Sequence, residues 1–264
     1  MKLAIIGVGK MGGAILEGIT KANLLLKKDI LLICRREEQK VNLEKEGYEV
    51  SLNVEDAYKT CDYILISIKP QIFPKVFDNS NKFDFSKKCI ISIAAGVKMD
   101  ELSNYFVGST IVRGMPNTSA LINESVTTVC STNKDSKAYE EAIKIFKSIG
   151  EVVEIKEEEM DTTLPLNGSM PAYIYYFIKC FIDAAVKSGV EYNDAKKLVA
   201  NTIISSTKML LNSSEDIQTL INNVCSKGGT TIAGLNKMTS QSMDTIIEEC
   251  YNACRDRSLE LANK

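Results

Sequence analysis

A short β-branched run, KLAIIG, ends in glycine at residue 7, and apolar residues at Met11, Ile15 and Ile19 take up helical spacing immediately afterwards. Between the two, Gly7, Gly9 and Gly12 spell G-x-G-x-x-G. In a strand–turn–helix context each glycine has a physical task. The first makes a tight turn, the second lets backbone approach a pyrophosphate, and the third lets helix and strand pack closely. The amides at the helix start then face the anion. A chain that begins in this way is constrained to a parallel α/β sheet with a nucleotide site at its first turn.

The next segments keep the alternation. DILLIC, YEVS, DYILISI, CIISIAAG and TIVRGMP read as strands, with REEQKVNLEKEG and NVEDAYKTC as helices between the earlier ones. SVTTVCS and EVVEI flank the helix DSKAYEEAIKIFKSIG and extend the sheet to about residue 155. Strands alternating with helices predict a mostly parallel, doubly wound sheet of Rossmann type, covered on both faces. From EEEMD onward the strand signal disappears. PAYIYYFIKCFIDAAVKSG carries one apolar stripe, and NDAKKLVANTIISSTKMLLN, SEDIQTLINNVC and SMDTIIEECYNACRDRSLELANK continue as helices. The expected organisation is a nucleotide-binding domain over residues 1–156 and an all-α domain over 157–264.

Composition removes several function classes. The 264 residues are 45% hydrophobic and 25% charged, with a net charge of -2 and lysines scattered along the chain, so no basic face for nucleic acid or an anionic membrane is expected. No apolar run approaches the ~18 residues that would span a bilayer. A cytoplasmic protein is expected. Histidine is absent, which excludes a Ser/His triad, a zinc site of the usual kind and a histidine general acid. Eight cysteines without a Cys-x-x-Cys pair read as reduced, buried thiols. No metal is expected.

The end of the second strand bears on which dinucleotide is bound. An NAD site usually places an acid there for the ribose 2′-hydroxyl, whereas a 2′-phosphate calls for arginine. This chain has Cys34, Arg35 and Arg36. NADPH is the expected cofactor and NADH the alternative; a solvated basic pair at a helix start is the competing reading.

A second glycine feature interrupts the helical half. In NNVCSKGGTTIAGLNKM, Gly228, Gly229, Thr230 and Thr231 break one helical pattern before another begins. Amides exposed at such a break can hold a carboxylate without arginine. A threonine N-cap opening IAGLNKM is the alternative, and the two are compatible.

Five blocks stand in order: GVGKMGGAI, IKPQ, VRGMPNTSALI, NGSMPAY and CSKGGTTIAGL. Together they resemble the pyrroline-5-carboxylate reductase family over essentially the whole chain, where the blocks look like G-x-G-x-M-A, V-K-P-Q, R-x-M-P-N-T-P, G-S-G-P-A-Y and S-P-G-G-T-T. The resemblance implies a Rossmann domain binding NAD(P)H, an α-helical domain that dimerises with a second subunit or builds a larger homo-oligomer, and reduction of 1-pyrroline-5-carboxylate to L-proline. By position it implies cofactor contacts from Gly7, Gly9, Lys10, Met11 and Gly12, from Arg35, Arg36 and Asn53, from Lys69 and Pro70, from Ala94, Ala95 and Gly96, and from Met115. It places the substrate carboxylate on Ser226, Lys227, Gly228, Gly229, Thr230 and Thr231, with the Thr231 hydroxyl on the ring nitrogen. Asn117 and Lys69 complete the implied catalytic set, although a solvated strand-end lysine is the plainer reading of Lys69.

The chain departs from the pattern at four places. Met170 replaces the second glycine of G-S-G-P-A-Y, Asn167 stands where a serine precedes it, Ser119 follows N-T, and Lys227 replaces the proline before Gly-Gly. Cofactor blocks are therefore better kept than substrate blocks. A reductase of a related cyclic imino acid and a non-catalytic nucleotide-binding homologue are the alternatives. A hydroxyacid dehydrogenase would need a lysine and asparagine pair on the first long helix, which offers Lys179 and Lys187 without a suitably spaced asparagine.

Overall fold

The computed structural model describes residues 1–262. Its strands are β1 (Leu3–Ile6), β2 (Ile30–Ile33), β3 (Glu49–Ser51), β4 (Tyr63–Ile66), β5 (Cys89–Ser92), β6 (Thr110–Met115), β7 (Ser125–Ser131) and β8 (Gly150–Glu154). They form one sheet in the order β3-β2-β1-β4-β5-β6-β7-β8. Every neighbouring pair is parallel except β6 and β7. The helices are α1 (Lys10–Lys21), α2 (Glu37–Lys45), α3 (Glu55–Thr60), α4 (Phe73–Val76), α5 (Met99–Tyr105), α6 (Lys137–Lys147), α7 (Met160–Asn167), α8 (Met170–Lys187), α9 (Tyr192–Asn212), α10 (Ile217–Val224), α11 (Thr230–Ser240) and α12 (Met243–Ala262).

Each residue of the central strands β1, β2 and β5 is buried, on one face or the other. Alternate side chains point to opposite faces. Leu3 and Ile5 of β1 join Ile15, Ile19, Leu32, Leu65 and Phe146 in one core, whereas Ala4 and Ile6 join Ile33, Ile64, Phe73 and Phe106 in the other. The second core is aromatic. Phe106 packs edge-on against Phe77 and Phe85, each at 5.1 Å between ring centres. Burial on both faces explains why these strands read as unbroken apolar runs.

Three helices escape the sequence pattern: α4, α5 and α7. The last of these moves the division between compact units. By packing, residues 1–171 and 254–262 form one unit and 172–253 the other, whereas the sequence pattern puts the boundary at residue 156. The reason is Met160, which is buried and accepts a hydrogen bond on Sδ from Thr128 Oγ1 of β7 at 3.7 Å, so α7 belongs with the sheet. Ser258 donates to Asp161 Oδ1 at 2.5 Å and ties the end of α12 to the same helix.

The helical unit buries little of its apolar surface. Leu198, Ile204, Met209 and Leu211 on α9 are each more than half exposed. Among the described residues no helix is long and apolar enough to cross a membrane. All eight cysteines are free, but only Cys34, Cys61, Cys89 and Cys130 are buried. The expectation of buried thiols fails for Cys180, which is exposed, and is met only in part for Cys225, Cys250 and Cys254, which are half-buried.

Burial pushes the Cys89 thiol from the usual 9.0 to about 12, and burial with the nearby Glu157 carboxylate pushes Cys130 to about 11. Unfolding releases both to ordinary values, so between pH 9 and these values the unfolded chain holds fewer protons than the folded one. Stability should therefore be complete below about pH 9 and fall as pH rises towards 12. Thermal melts across that range would check this; an aromatic disulfide reagent at pH 8 should leave the sheet thiols unmodified until the protein is denatured.

Candidate active site

The crossover from β1 runs to β2 on one side, while β4 pairs with β1 on the other. A crevice opens at the carboxyl ends where the strand order reverses. The loops leaving four strands meet there around a cavity of about 410 Å³. Gly9, Lys10 and Met11 follow β1, Ser67 to Pro70 follow β4, Ile93 to Ala95 follow β5, and Pro116 follows β6.

The three glycines of the first turn have different surroundings. Gly7 has φ +95°, and a Cβ there would lie 2.5 Å from Ile68 Cγ2. A Cβ on Gly12 would run into the Gly7 carbonyl oxygen. Gly9 faces open space, with nothing within 4 Å of where its Cβ would be. The first and third glycines thus serve the fold, and the second leaves room for a ligand. Gln39 of α2 fixes the turn from outside, donating from Nε2 to the Val8 carbonyl at 2.7 Å.

Of the helices that start without a side-chain cap, α1 and α11 are the two whose N-cap is glycine. Ser136, Glu191 and Asp216 accept hydrogen bonds from first-turn amides of α6, α9 and α10. By contrast α1 opens on Gly9 and α11 on Gly229, without a side-chain cap. Their free N–H groups and helix dipoles favour an anion. Lys10 and Lys69 add exposed ammonium groups at the cavity, neither with a carboxylate partner among the described residues. Lys69 takes an extended backbone at the end of the β4 loop, as the following Pro70 requires.

Arg35 and Arg36 are exposed just beyond β2, and Arg36 is the N-cap of α2. Cys34 stands where an acid would sit. Burial raises its thiol pKa, against the hydrogen bond it donates to the Arg36 carbonyl at 3.6 Å, so it brings no negative charge. Asn53 caps the turn before α3, its Oδ1 accepting from Glu55 N at 3.1 Å. Gly96, at φ +78°, turns the chain after Ala95. An open glycine, an uncapped helix and unpaired cations fit a phosphorylated dinucleotide.

Met115 is half-buried at the end of β6, and Asn117, buried, follows the cavity-lining Pro116. Asn117 is 9% exposed, and its Oδ1 accepts from Ser119 N at 3.0 Å while its Nδ2 donates to the Asn167 carbonyl at 3.3 Å. Its side chain is therefore engaged in holding a loop. Ser67, Ile68, Ile93 and Gln39 are additions that the sequence pattern does not single out. Ile68 opens the IKPQ block and Ser67 precedes it, Ile93 precedes Ala94, and only Gln39 lacks any signal.

The residues expected for the carboxylate lie in the helical unit. Gly228 has φ +71°, Gly229 N donates to the Ser226 carbonyl at 3.0 Å, and α11 starts at Thr230. Neither threonine is the N-cap, since the helix begins before IAGLNKM. The hydroxyls of Thr230 and Thr231 make no hydrogen bond among the described residues, and both side chains are exposed.

The helical half matches the family model described as pyrroline-5-carboxylate reductase dimerisation over residues 157–261, and residues 2–96 match that described as NADP oxidoreductase, coenzyme F420-dependent. Pyrroline-5-carboxylate reductase of Staphylococcus aureus is 33% identical over 267 residues, covering 100% of this chain and 98% of its own. The chain belongs to the pyrroline-5-carboxylate reductase family. Two solved structures of the family agree. Plasmodium falciparum pyrroline carboxylate reductase with NADP bound has a TM-score of 0.87 and 31% identity, covering 99% of this chain and 98% of that one. 1-Pyrroline-5-carboxylate reductase of Streptococcus pyogenes has a TM-score of 0.85 at 31% identity, covering 98% of each.

The glycine surroundings separate binding from folding in this reductase. Gly9→Ala should melt within a degree or two of wild type yet bind NADPH about tenfold or more weakly, because the new methyl fills ligand space. Gly12→Ala should lower the melting temperature itself, by several degrees, through its collision with the Gly7 carbonyl. Differential scanning fluorimetry beside a fluorescence titration of NADPH checks both.

Proposed function

We propose that this chain, an NAD(P)H-dependent reductase, reduces the C=N bond of 1-pyrroline-5-carboxylate to give L-proline. The observation that carries the reading is the conjunction of an open, cation-lined glycine turn with likeness to pyrroline-5-carboxylate reductases over the whole chain. When bound, NADPH supplies the hydride. The protein's part is to hold the two reactants and to keep them oriented.

In this scheme the Gly9 turn and the first amides of α1 hold the pyrophosphate, and Arg35 and Arg36 hold the 2′-phosphate. Lys69, Pro70, Ala94, Ala95, Met115 and Pro116 wall the nicotinamide end. The amides at the start of α11 take the substrate carboxylate, and the Thr231 hydroxyl orients the ring nitrogen. If the imine enters protonated, no strong general acid is needed, which suits a chain without histidine. Lys227 adds a cation beside the carboxylate amides, strengthening their hold on an acid group.

The dimerisation region and the apolar side chains exposed on α9 support a homo-oligomer, and we assign it as a homodimer in the cytoplasm. Light scattering at micromolar concentration should give twice the chain mass.

Loss of NADPH absorbance on adding pyrroline-5-carboxylate tests the activity, and a panel with six-membered imines tests the ring size. Preference for a six-membered ring would overturn the substrate. Thr231→Ala should lower kcat/KM by roughly ten- to a hundredfold, the value of a charge-assisted hydrogen bond. Replacing Arg35 and Arg36 together with alanine should raise KM for NADPH about tenfold or more while leaving that for NADH within about twofold.

A further inference from the structure

The four departures from the family pattern include one that the structure gives a definite task. Asn167, where the related motif carries serine, is the last residue of α7 and only 4% exposed. Its Nδ2 donates to the Met115 carbonyl at 2.8 Å and, more weakly, to Thr128 Oγ1 at 3.4 Å. Its Oδ1 accepts from Gly168 N at 2.7 Å. In return, its backbone carbonyl accepts from Asn117 Nδ2 at 3.3 Å. The side chain is thus fully satisfied, and two asparagines clamp α7 to the segment 115–117 from both sides.

That segment is part of the cofactor cavity, since Pro116 lines it. The clamp is anchored behind as well as in front: Ser169 Oγ lies 3.2 Å from Cys254 Sγ, and Ser258 holds Asp161 of α7. A serine at position 167 would be too short, by a carbon and an amide nitrogen, to reach both the Met115 carbonyl and its own helix end. The asparagine amide also offers two N–H donors where a hydroxyl has one.

We propose that Asn167 is a positioning residue for hydride transfer, holding the Met115–Pro116 wall against the nicotinamide end of the cavity. The proposal deepens the reductase reading and rests on its placement of that end. Asn167 touches neither reactant. It acts through the Met115 carbonyl, and the quantity it sets is the angle and distance of the reacting faces, to which rate is far more sensitive than affinity. Binding strength resides elsewhere, at Gly9, Lys10, Arg35 and Arg36.

Asn167→Leu keeps most of the volume and removes both donors; Asn167→Ala removes volume as well. In each variant that folds, kcat should fall about tenfold or more while KM for NADPH rises less than about threefold, the split expected when orientation is lost and binding is kept. Independently of turnover, the emission of bound NADPH should drop towards that of the free cofactor, because its nicotinamide end is less confined. A purely structural role would lower the folded fraction and leave emission per bound NADPH unchanged. The proposal is overturned if Asn167→Leu matches wild type in kcat and emission, or if neither variant folds. Should wild type fail to reduce any imine while still binding NADPH, the substrate reading falls and the emission comparison still decides the role of Asn167.

Discussion

The sheet depends on one close approach, that of the helix α1 to the turn it leaves. Gly12 sits against the Gly7 carbonyl so tightly that no side chain fits between them, and Gly7 adopts a φ that other residues avoid. This contact sets where α1 starts, and so where its unpaired amides point. The reversal of strand order beside β1 then leaves that point uncovered. The open amides here follow from packing rather than from any dedicated charged side chain, and Lys10 and Lys69 add to a field that the backbone already supplies.

The same device recurs at α11, whose first residue is Thr230 and whose N-cap is a glycine. Serine, glutamate and aspartate caps consume first-turn amides of α6, α9 and α10. At α1 and α11 the N-cap is glycine, and these are the helices proposed for phosphate and for carboxylate. A chain without histidine can thus arrange two anionic reactants using backbone groups whose charge state does not change with pH.

Much of this is legible in sequence because parallel strands buried on both faces give unbroken runs such as LAII and ILLI, and because few turns other than a nucleotide-binding one need three glycines at those offsets after a strand. Strand direction is not legible. Periodicity is the same for either direction, so the reversal at β7 emerges only in the folded sheet. Helix α7 is hidden by Pro165 and its threonines, which lower helix propensity; tertiary burial of Met160, Pro165 and Asn167 overrides that preference. Nor does sequence reveal what holds Asn117. Its motif position suggests chemistry, while its side chain is engaged by partners as distant as Asn167, a relation that exists only once the chain is folded.

The antiparallel pairing of β6 and β7 has a consequence for the cavity edge. In the parallel units a strand is followed by a crossover to the other end of the sheet, but after β6 the chain turns back within residues 116–124 and re-enters the sheet as the next strand. Both ends of that connection are pinned by ladder hydrogen bonds, and Asn117 near its start is held by Ser125 Oγ and by Asn167, while Leu121 and Ile122 farther along are exposed. The cavity edge at Pro116 is thus the rooted part of the connection, a fixed jamb beside the first glycine turn.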